Sequence, residues 1–390
     1  MIPVSEALDR VLALAEPLET ETVPLQEAAG RVLAEPVVAR RMQPPFAAAA
    51  MDGYALRAAE LRAGARLDLI GEAPAGRAFD GSVGPGQAVR IFTGGVVPEG
   101  ADIVVMQENV TRDGDSVTID DAGQKTDHIR PAGGDFRPGE RIEAPRILRP
   151  GDLALAAAMN VPQLVVRRRP VVALLATGDE LVMPGEEPRA DQIVASNSFG
   201  LKAMFEAAGA SVRMLPIAQD TEASLRAAFA LAQGADLLIT IGGASVGDHD
   251  LVGQVATDLG MERSFYKVAM RPGKPLMAGR MTGMIMVGLP GNPVSAMVCG
   301  HVFILPLLRA LLGLGKGPVP RREAVLGAPL GANGPREHYM RAALKDGTVT
   351  AFDQQDSAFL TILAEANALL IRPVSDGPRA TGERVEVVPL

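Results

Sequence analysis

Cysteine is almost absent: the 390 residues contain one, Cys299. No intramolecular disulfide can form, and the paired-cysteine spacings that hold structural zinc are missing. The four histidines are scattered along the chain and form no metal-binding pattern. No P-loop and no G-x-G-x-x-G fingerprint occurs, so ordinary NTPase and dinucleotide-binding readings lose their main support. Basic residues are in deficit, 38 Lys and Arg against 46 Asp and Glu, for a formal charge of -8. That excludes a nucleic-acid binder with a wholly basic surface and leaves room for a local basic pocket for a small anion. Met1-Ile2-Pro3-Val4-Ser5-Glu6 lacks the basic flank and apolar stretch of a signal peptide. The longest greasy segment, Val294 to Leu314, is broken by Pro306 and Arg309 and reads as a core helix, not a membrane span. The expectation is a soluble, cytoplasmic protein with no membrane and no nucleic-acid partner. Cys299 falls inside that core helix, where a buried, inert thiol is expected.

Hydrophobic residues make up 47% of the chain, enough for more than one core and for two to four domains. Val4, Leu8, Val11, Leu12 and Ala15 have helical spacing, with Ser5 as a plausible cap. Leu25 to Val38 reads as a short helix followed by an extended piece. From Arg40 to about Glu140, short apolar runs alternate with turn pairs such as Asp80-Gly81, Asp113-Gly114 and Pro138-Gly139, suggesting a small all-β unit. Leu153 to Asn160 is again helical. Arg167-Arg168-Arg169 reads as a solvated strand entry. From Val171 to Leu314 the order is strand, helix (Phe199 to Ala208), strand (Ser211 to Ile217), helix (Thr221 to Gln233), strand, helix. That alternation implies a mainly parallel sheet covered on both faces. Gly313 to Pro320 is a linker, after which β character returns, with a hairpin turn at Lys345-Asp346-Gly347-Thr348 and a final strand from Gly382 to Val388.

Three strand exits carry the candidate chemistry. The run Leu237 to Ile239 leads into Thr240-Ile241-Gly242-Gly243-Ala244-Ser245-Val246-Gly247-Asp248-His249-Asp250, followed by a helix from Leu251 to Leu259. Glycines let backbone approach an anion closely, and helix N-termini attract negative charge. The aspartates repel a bare phosphate and fit best with a divalent cation between. An ordinary strand-to-helix turn is the plain alternative. Val171 to Ala176 exits into Thr177-Gly178-Asp179-Glu180. Ile285 to Val287 exits into Gly288-Leu289-Pro290-Gly291-Asn292-Pro293-Val294-Ser295, where Asn292 suits an N-cap and Pro293 the first helical position. In α/β sheets, ligands bind beyond the carboxyl ends of parallel strands.

Eight segments in order resemble the molybdopterin molybdenumtransferase (MoeA) family, shared with the gephyrin E domain. They include Met51-Asp52-Gly53-Tyr54-Ala55, Thr93-Gly94-Gly95 through Asp102, Ile129-Arg130 through Gly134-Asp135, and Thr177-Gly178-Asp179-Glu180-Leu181. Ser196-Asn197, Gly242 to Asp248, Arg271-Pro272-Gly273-Lys274-Pro275 and Leu289 to Ser295 complete the set. One departure stands out. Where the family commonly has Asp-Asn-Ser-Ala before Met-Asp-Gly-Tyr, this chain has Ala47-Ala48-Ala49-Ala50. Polar groups that order that loop or touch ligand are therefore missing.

The resemblance implies a multidomain α/β plus β fold. Its parts are a three-layer α/β domain with a mostly parallel sheet (1–18 and 170–317), a linker domain (19–39 and 140–169), an inserted β domain (40–139) and a C-terminal β-barrel-like domain (318–390). It also implies a transferase that takes adenylated molybdopterin and molybdate, releases AMP and leaves molybdenum on the dithiolene. Magnesium or another divalent ion assists, in a homodimer whose cleft draws on both subunits, and the molybdopterin adenylyltransferase is a candidate partner. Asp52, Asp135, Glu180 and Asp250 become the catalytic acids, and Glu180, Asp248 and Asp250 the cation ligands. Thr93, Gly94, Thr177, Gly178, Asp179, Ser196, Asn197, Gly242, Gly243, Ser245 and Gly247 become substrate contacts. Arg271 and Lys274 supply positive charge for pyrophosphate or molybdate, and Pro290, Gly291, Asn292, Pro293 and Ser295 frame the same ligand. Asp52 and Asp135 also suit plain turns, and His249 reads as exposed and non-essential. Two other readings stay open: a gephyrin-like scaffold for peptides, and a paralogue that handles nucleotide or adenylates molybdopterin.

Overall fold

The computed structural model describes residues 1–243 and 251–390. Its centre is a six-stranded sheet in the order Ser211–Met214, Val171–Ala176, Leu237–Ile241, Met284–Leu289, Pro275–Met281, Glu262–Lys267. The first four strands run parallel, and the last two are antiparallel. Side chains alternate across the sheet, so Val172 and Leu174 enter one core and Ala173 and Leu175 the other. Both faces are covered, which is why Leu237–Ile241 and Met284–Leu289 are buried at every position. Helices Val4–Ala13, Asn197–Ala207 and Pro293–Leu311 pack on one face, and Glu222–Leu231 with Leu251–Asp258 on the other. The expected three-layer α/β unit is present, and the antiparallel pair at its edge is the part that helix–strand alternation did not reveal.

The Pro293–Leu311 helix is long and apolar enough to cross a membrane, but its residues fill the core between sheet and helices. Its middle, Gly300–Ile304, is a π-helical turn. In the first helix, Val4, Ala7, Leu8, Val11 and Leu12 form the buried stripe. Ser5 lies inside that helix and does not cap it; Pro3 holds the cap position without a side-chain bond. The helix expected after Leu25 shrinks to one 3-10 turn, Leu25–Glu27. The extended piece expected after it is present: Val32 and Leu33 pair with Ile147 and Arg146, more than a hundred residues on.

The region between Arg40 and Glu140 contains the six-stranded sheet Ile103–Met106, Gly53–Leu56, Gln87–Ile91, Arg66–Ala73, Ser116–Ile119, Val110–Asp113. After residue 320 a sheet closes on itself. Glu337–Lys345 pairs with Thr348–Ala351 on one side and with Ala368–Arg372 on the other, while Arg322–Leu326 and Arg384–Pro389 complete the ring. Asp346 and Gly347 have φ of 48° and 77°, the left-handed pair of a tight hairpin turn. Met270–Arg271, from the α/β unit, adds to this ring beside Glu337 and His338.

The Arg167–Arg169 run is not simply solvated. Arg167 donates to the Leu18 carbonyl at 2.6 Å, and Arg168 makes a two-pronged pair with Asp236 at 2.7 Å. Arg168 also reaches Glu19, while Asp236 accepts from the Val171 N–H. The run therefore clasps the Thr20–Pro24 and Gln163–Arg167 strands to the central sheet. Arg168→Met leaves Asp236 half-paired, and it should destabilise the protein by about 2 kcal/mol, the scale of a lost charge-assisted hydrogen bond. An unchanged melting temperature would mean that the clasp carries no stability.

Candidate active site

Strand ends come first. The Thr177 N–H donates to the Ile241 carbonyl and the Gly242 N–H to Leu289, so the three central strands run in register to their carboxyl ends. Beyond them the chains crowd. A Cβ at Gly242 (φ +90°) would lie 2.7 Å from the Thr177 carbonyl, and one at Gly243 (φ +63°) would lie 2.2 Å from Val252. Only glycine satisfies both the positive φ and the close approach. A Cβ at Gly291 would be 3.6 Å from Gly242, so the third loop lies against the second.

These loops line a cleft of about 600 Å³. Of the expected residues, Thr177, Gly178, Glu180, Ser196, Asn197, Gly242, Gly243, Pro290, Gly291, Asn292, Pro293 and Ser295 line it. Asn197 ties its two walls, donating to the Gly291 carbonyl at 2.7 Å. Thr177 is buried, and its hydroxyl has no hydrogen-bond partner among the described residues. Leu181, Ile193 and Val194 form an apolar lip from a small two-stranded sheet, Leu181–Val182 with Ile193–Val194. Ser245, Gly247, Asp248, His249 and Asp250 lie outside the described residues.

Asn292 holds the N-cap position of the Pro293–Cys299 segment, as its sequence suggests, but its side chain does not cap. Its amide donates instead to the Ser357 hydroxyl at 3.1 Å, and the Val294 N–H donates to the Ser357 carbonyl at 3.0 Å. The C-terminal ring thus closes one side of the cleft, with Ala358 in the lining. The buried Arg341 holds that loop: its guanidinium donates to Gln355 Oε1 and to the Asp356 carbonyl at 2.7 Å.

Asp220 is a cleft residue that the sequence reading missed. Its N–H donates to Asp179 Oδ1 at 3.1 Å. Burial, then the neighbouring charges of Asp179 and Glu180, push its carboxyl above the usual aspartate range. The signal was present, because Asp220 follows the Ser211–Met214 strand and that strand's exit obeys the same rule as the other three. Asp179, Arg271 and Lys274 are not among the described residues that line the cleft. Arg271 lies where the α/β unit meets the ring, and around His338 it joins Arg341, Arg372 and Arg336; burial and then these cations push His338 down to about 4. The turn that carries Lys274 rests on the buried Cys299, whose Sγ lies 4.0 Å from the Gly273 carbonyl. Burial raises that thiol well above its ordinary value, so it is the inert thiol expected.

Asp52, Thr93, Gly94 and Asp135 do not line this chain's cleft; they belong to the inserted β unit. Asp52 Oδ1 accepts from the Thr93 N–H and hydroxyl, both at 2.7 Å. These bonds, with a smaller pull from Arg90, hold its carboxyl below the usual range. Asp135 sits in an exposed turn whose backbone bonds to Gln43. The alanine run needs no polar side chains for order. Ala48–Ala49 pairs with Ile129–Arg130, and backbone bonds join Ala49 to Gly94 and Gly95, Ala47 to Val97, and Ala50 to His128.

Family models match the chain along nearly its whole length: the MoeA N-terminal region (domains I and II) at residues 2–160, a probable molybdopterin binding domain at 173–310, and the MoeA C-terminal region (domain IV) at 323–390. A molybdopterin molybdenumtransferase of a Nostoc species is 36% identical, covering 95% of this chain and 89% of its own. Molybdopterin molybdenumtransferase 2 of Mycobacterium tuberculosis is 40% identical, covering 94% of each. A crystal structure of the molybdopterin biosynthesis MoeA protein of Pyrococcus horikoshii superposes with a TM-score of 0.84 at 28% identity, over 100% of this chain and 99% of that one. The chain belongs to the MoeA family of molybdopterin molybdenumtransferases.

Proposed function

We propose that the protein inserts molybdate into adenylated molybdopterin and releases AMP, as a transferase of molybdenum cofactor biosynthesis. The observation that carries the reading is the cleft beyond four parallel strand ends, where glycine loops and carboxylates meet. A pyrophosphate can approach the bare backbone at Gly242 and Gly243, while Thr177, Asn197 and Ser295 offer polar contacts. Arg271 and Lys274, with the arginines around His338, supply positive charge near the joint with the C-terminal ring. The intact catalytic-type loops disfavour a pure scaffold. The test of the reading is incubation of the purified protein with adenylated molybdopterin, magnesium and molybdate. AMP release that requires molybdate supports it, and molybdate-independent or absent release contradicts it.

The residues present also fit a divalent cation. Asp220, exposed at the cleft, feels the negative charges of Asp179 and Glu180, a set of hard oxygen donors whose repulsion a cation relieves. Among the described residues no cluster of three metal-type ligands converges. Magnesium commonly uses one or two carboxylates and completes its shell with water and phosphate oxygens, which suits Glu180 and Asp220. When bound, it would neutralise charge on the pyrophosphate. Ser245, Asp248 and Asp250, which follow Gly243 in the sequence, are the further candidates for this role and lie outside the described residues.

Asp52 acts on the same ligand from a second subunit in this reading. Its bonds to Thr93 keep it ionised, ready to orient a nucleophile or the cation's water shell. The homodimer, the cytoplasmic setting and a hand-over from the adenylyltransferase complete the proposal.

Two expectations follow from the charges. An acid whose folded pKa lies above its unfolded value destabilises the fold once the pH exceeds the unfolded value. Asp220→Asn should therefore raise the melting temperature at pH 7 in chelator and shrink the further rise produced by magnesium. A lowered melting temperature with the full magnesium response would remove Asp220 from the cation's reach. Lys274→Ala should raise the apparent KM for an anionic substrate about tenfold, the scale of one charge-assisted hydrogen bond. Equal KM values for molybdate and adenylated molybdopterin in variant and parent would show that the lysine does not touch either.

A further inference from the structure

Asp52 sits on a turn that is locked from below. It precedes the strand Gly53–Leu56, which pairs antiparallel with Gln87–Ile91 so that Tyr54 faces Arg90 and Gly53 faces Ile91. Gly53 lies so tightly on the neighbouring strand that a Cβ there would be 1.9 Å from the Val105 carbonyl. The turn's height above the sheet is therefore fixed by backbone contact. Its orientation is fixed by one side chain. Arg90 Nη1 donates to the Gly53 carbonyl at 3.1 Å, and Nη2 donates to Gln107 Oε1. The Gln107 N–H in turn donates to the Asp52 carbonyl at 3.1 Å. The guanidinium carbon lies 5.1 Å from the Tyr54 ring centre and 4.8 Å from that of Phe92, the residue just before Thr93. Arg90 thus touches both chain segments that meet at the carboxylate: Gly53 after Asp52, and Phe92 before Thr93.

We propose that Arg90 is the positioning residue of the Asp52 carboxylate, holding the Asp52 turn and the Thr93 loop together so that Oδ1 is occupied by Thr93. Among the described residues Oδ2 accepts no hydrogen bond, so it is the oxygen left for substrate, water or cation. The arrangement calls for arginine. A guanidinium donates in two directions at once while its flat face lies on aromatic rings. Lysine keeps the charge and the stem but cannot hold Gly53 and Gln107 together. Arginine also adds to the field that keeps Asp52 ionised, after the two Thr93 bonds. The inference rests on the reading of Asp52 as a functional acid.

The experiment is a double-mutant cycle on molybdate-dependent AMP release, under single-turnover conditions with enzyme in excess. Arg90→Met should lower the rate of AMP release about tenfold or more, the effect of a misplaced reacting group, with the half-saturating molybdate concentration unchanged. Arg90→Lys should recover part of the rate. On an Asp52→Asn background, Arg90→Met should cost nothing further, because the group it positions is already gone. Equal losses on both backgrounds, or no loss on the parent, would overturn the inference. If Arg90→Met does not fold, Arg90→Lys carries the same comparison with a smaller loss. Full activity of Asp52→Asn alone would instead overturn the role of Asp52, which separates the two failures.

Discussion

The whole site depends on one close approach. The strands Val171–Ala176, Leu237–Ile241 and Met284–Leu289 end in register, and their loops then touch backbone to backbone around Gly242. Side chains at Gly242 or Gly243 would collide with Thr177 or Val252, so the loops can meet only as bare peptide. That contact leaves unshielded polar backbone at one edge of the sheet and gives the cleft its floor. The apolar interior that holds the strands in register, from Val172 through Ile239 to Val287, is what makes such precision in the loops affordable.

The C-terminal ring is part of the same device. Ser357 meets both Asn292 and Val294 at the start of the core helix, and Arg341, itself buried, holds the Gln355–Asp356 segment that presents it. Met270–Arg271 joins the ring as an added strand, so the cationic turn is fixed by two units at once. The inserted unit stands apart. The bonding partners of the Asp52 carboxylate and backbone come from Thr93 and Gln107, both within that unit, and none of its residues lines this chain's cleft. An acid this well ordered, with one oxygen left open, makes sense if its target belongs to a neighbouring subunit.

Much of this was legible in the sequence. Buried parallel strands announced themselves as short apolar runs, and their exits carried glycine, acid and amide in places that physical rules assign to ligands. Eight ordered motifs then identified the family. What was not legible depended on contacts between distant segments. Asn292 looked like a helix cap, yet Ser357, 65 residues away, takes its amide. The short helix expected at Leu25 is a single 3-10 turn, and the Leu25 N–H is bonded to the distant Pro162 carbonyl. The alanine run is ordered without polar side chains because its backbone is bonded to Gly95 and His128. Asp220 was missed for a different reason: five residues, Leu215–Gln219, separate it from the end of its strand, and that loop hid that it returns to the same edge. The Arg168 clasp looked like solvated charge because Asp236 is far along the chain.

Complementation tests the central claim, a cleft completed by a second subunit. Inactive Asp52→Ala and Glu180→Ala proteins would be mixed, unfolded and refolded together, with heterodimers quantified by distinct tags. If the two acids serve one cleft from different subunits, each heterodimer holds one intact and one doubly damaged site. Molybdate-dependent AMP release should then return to about a quarter of the parent activity for a statistical mixture. No recovery with heterodimers present would place both acids in a single subunit's site and contradict the account.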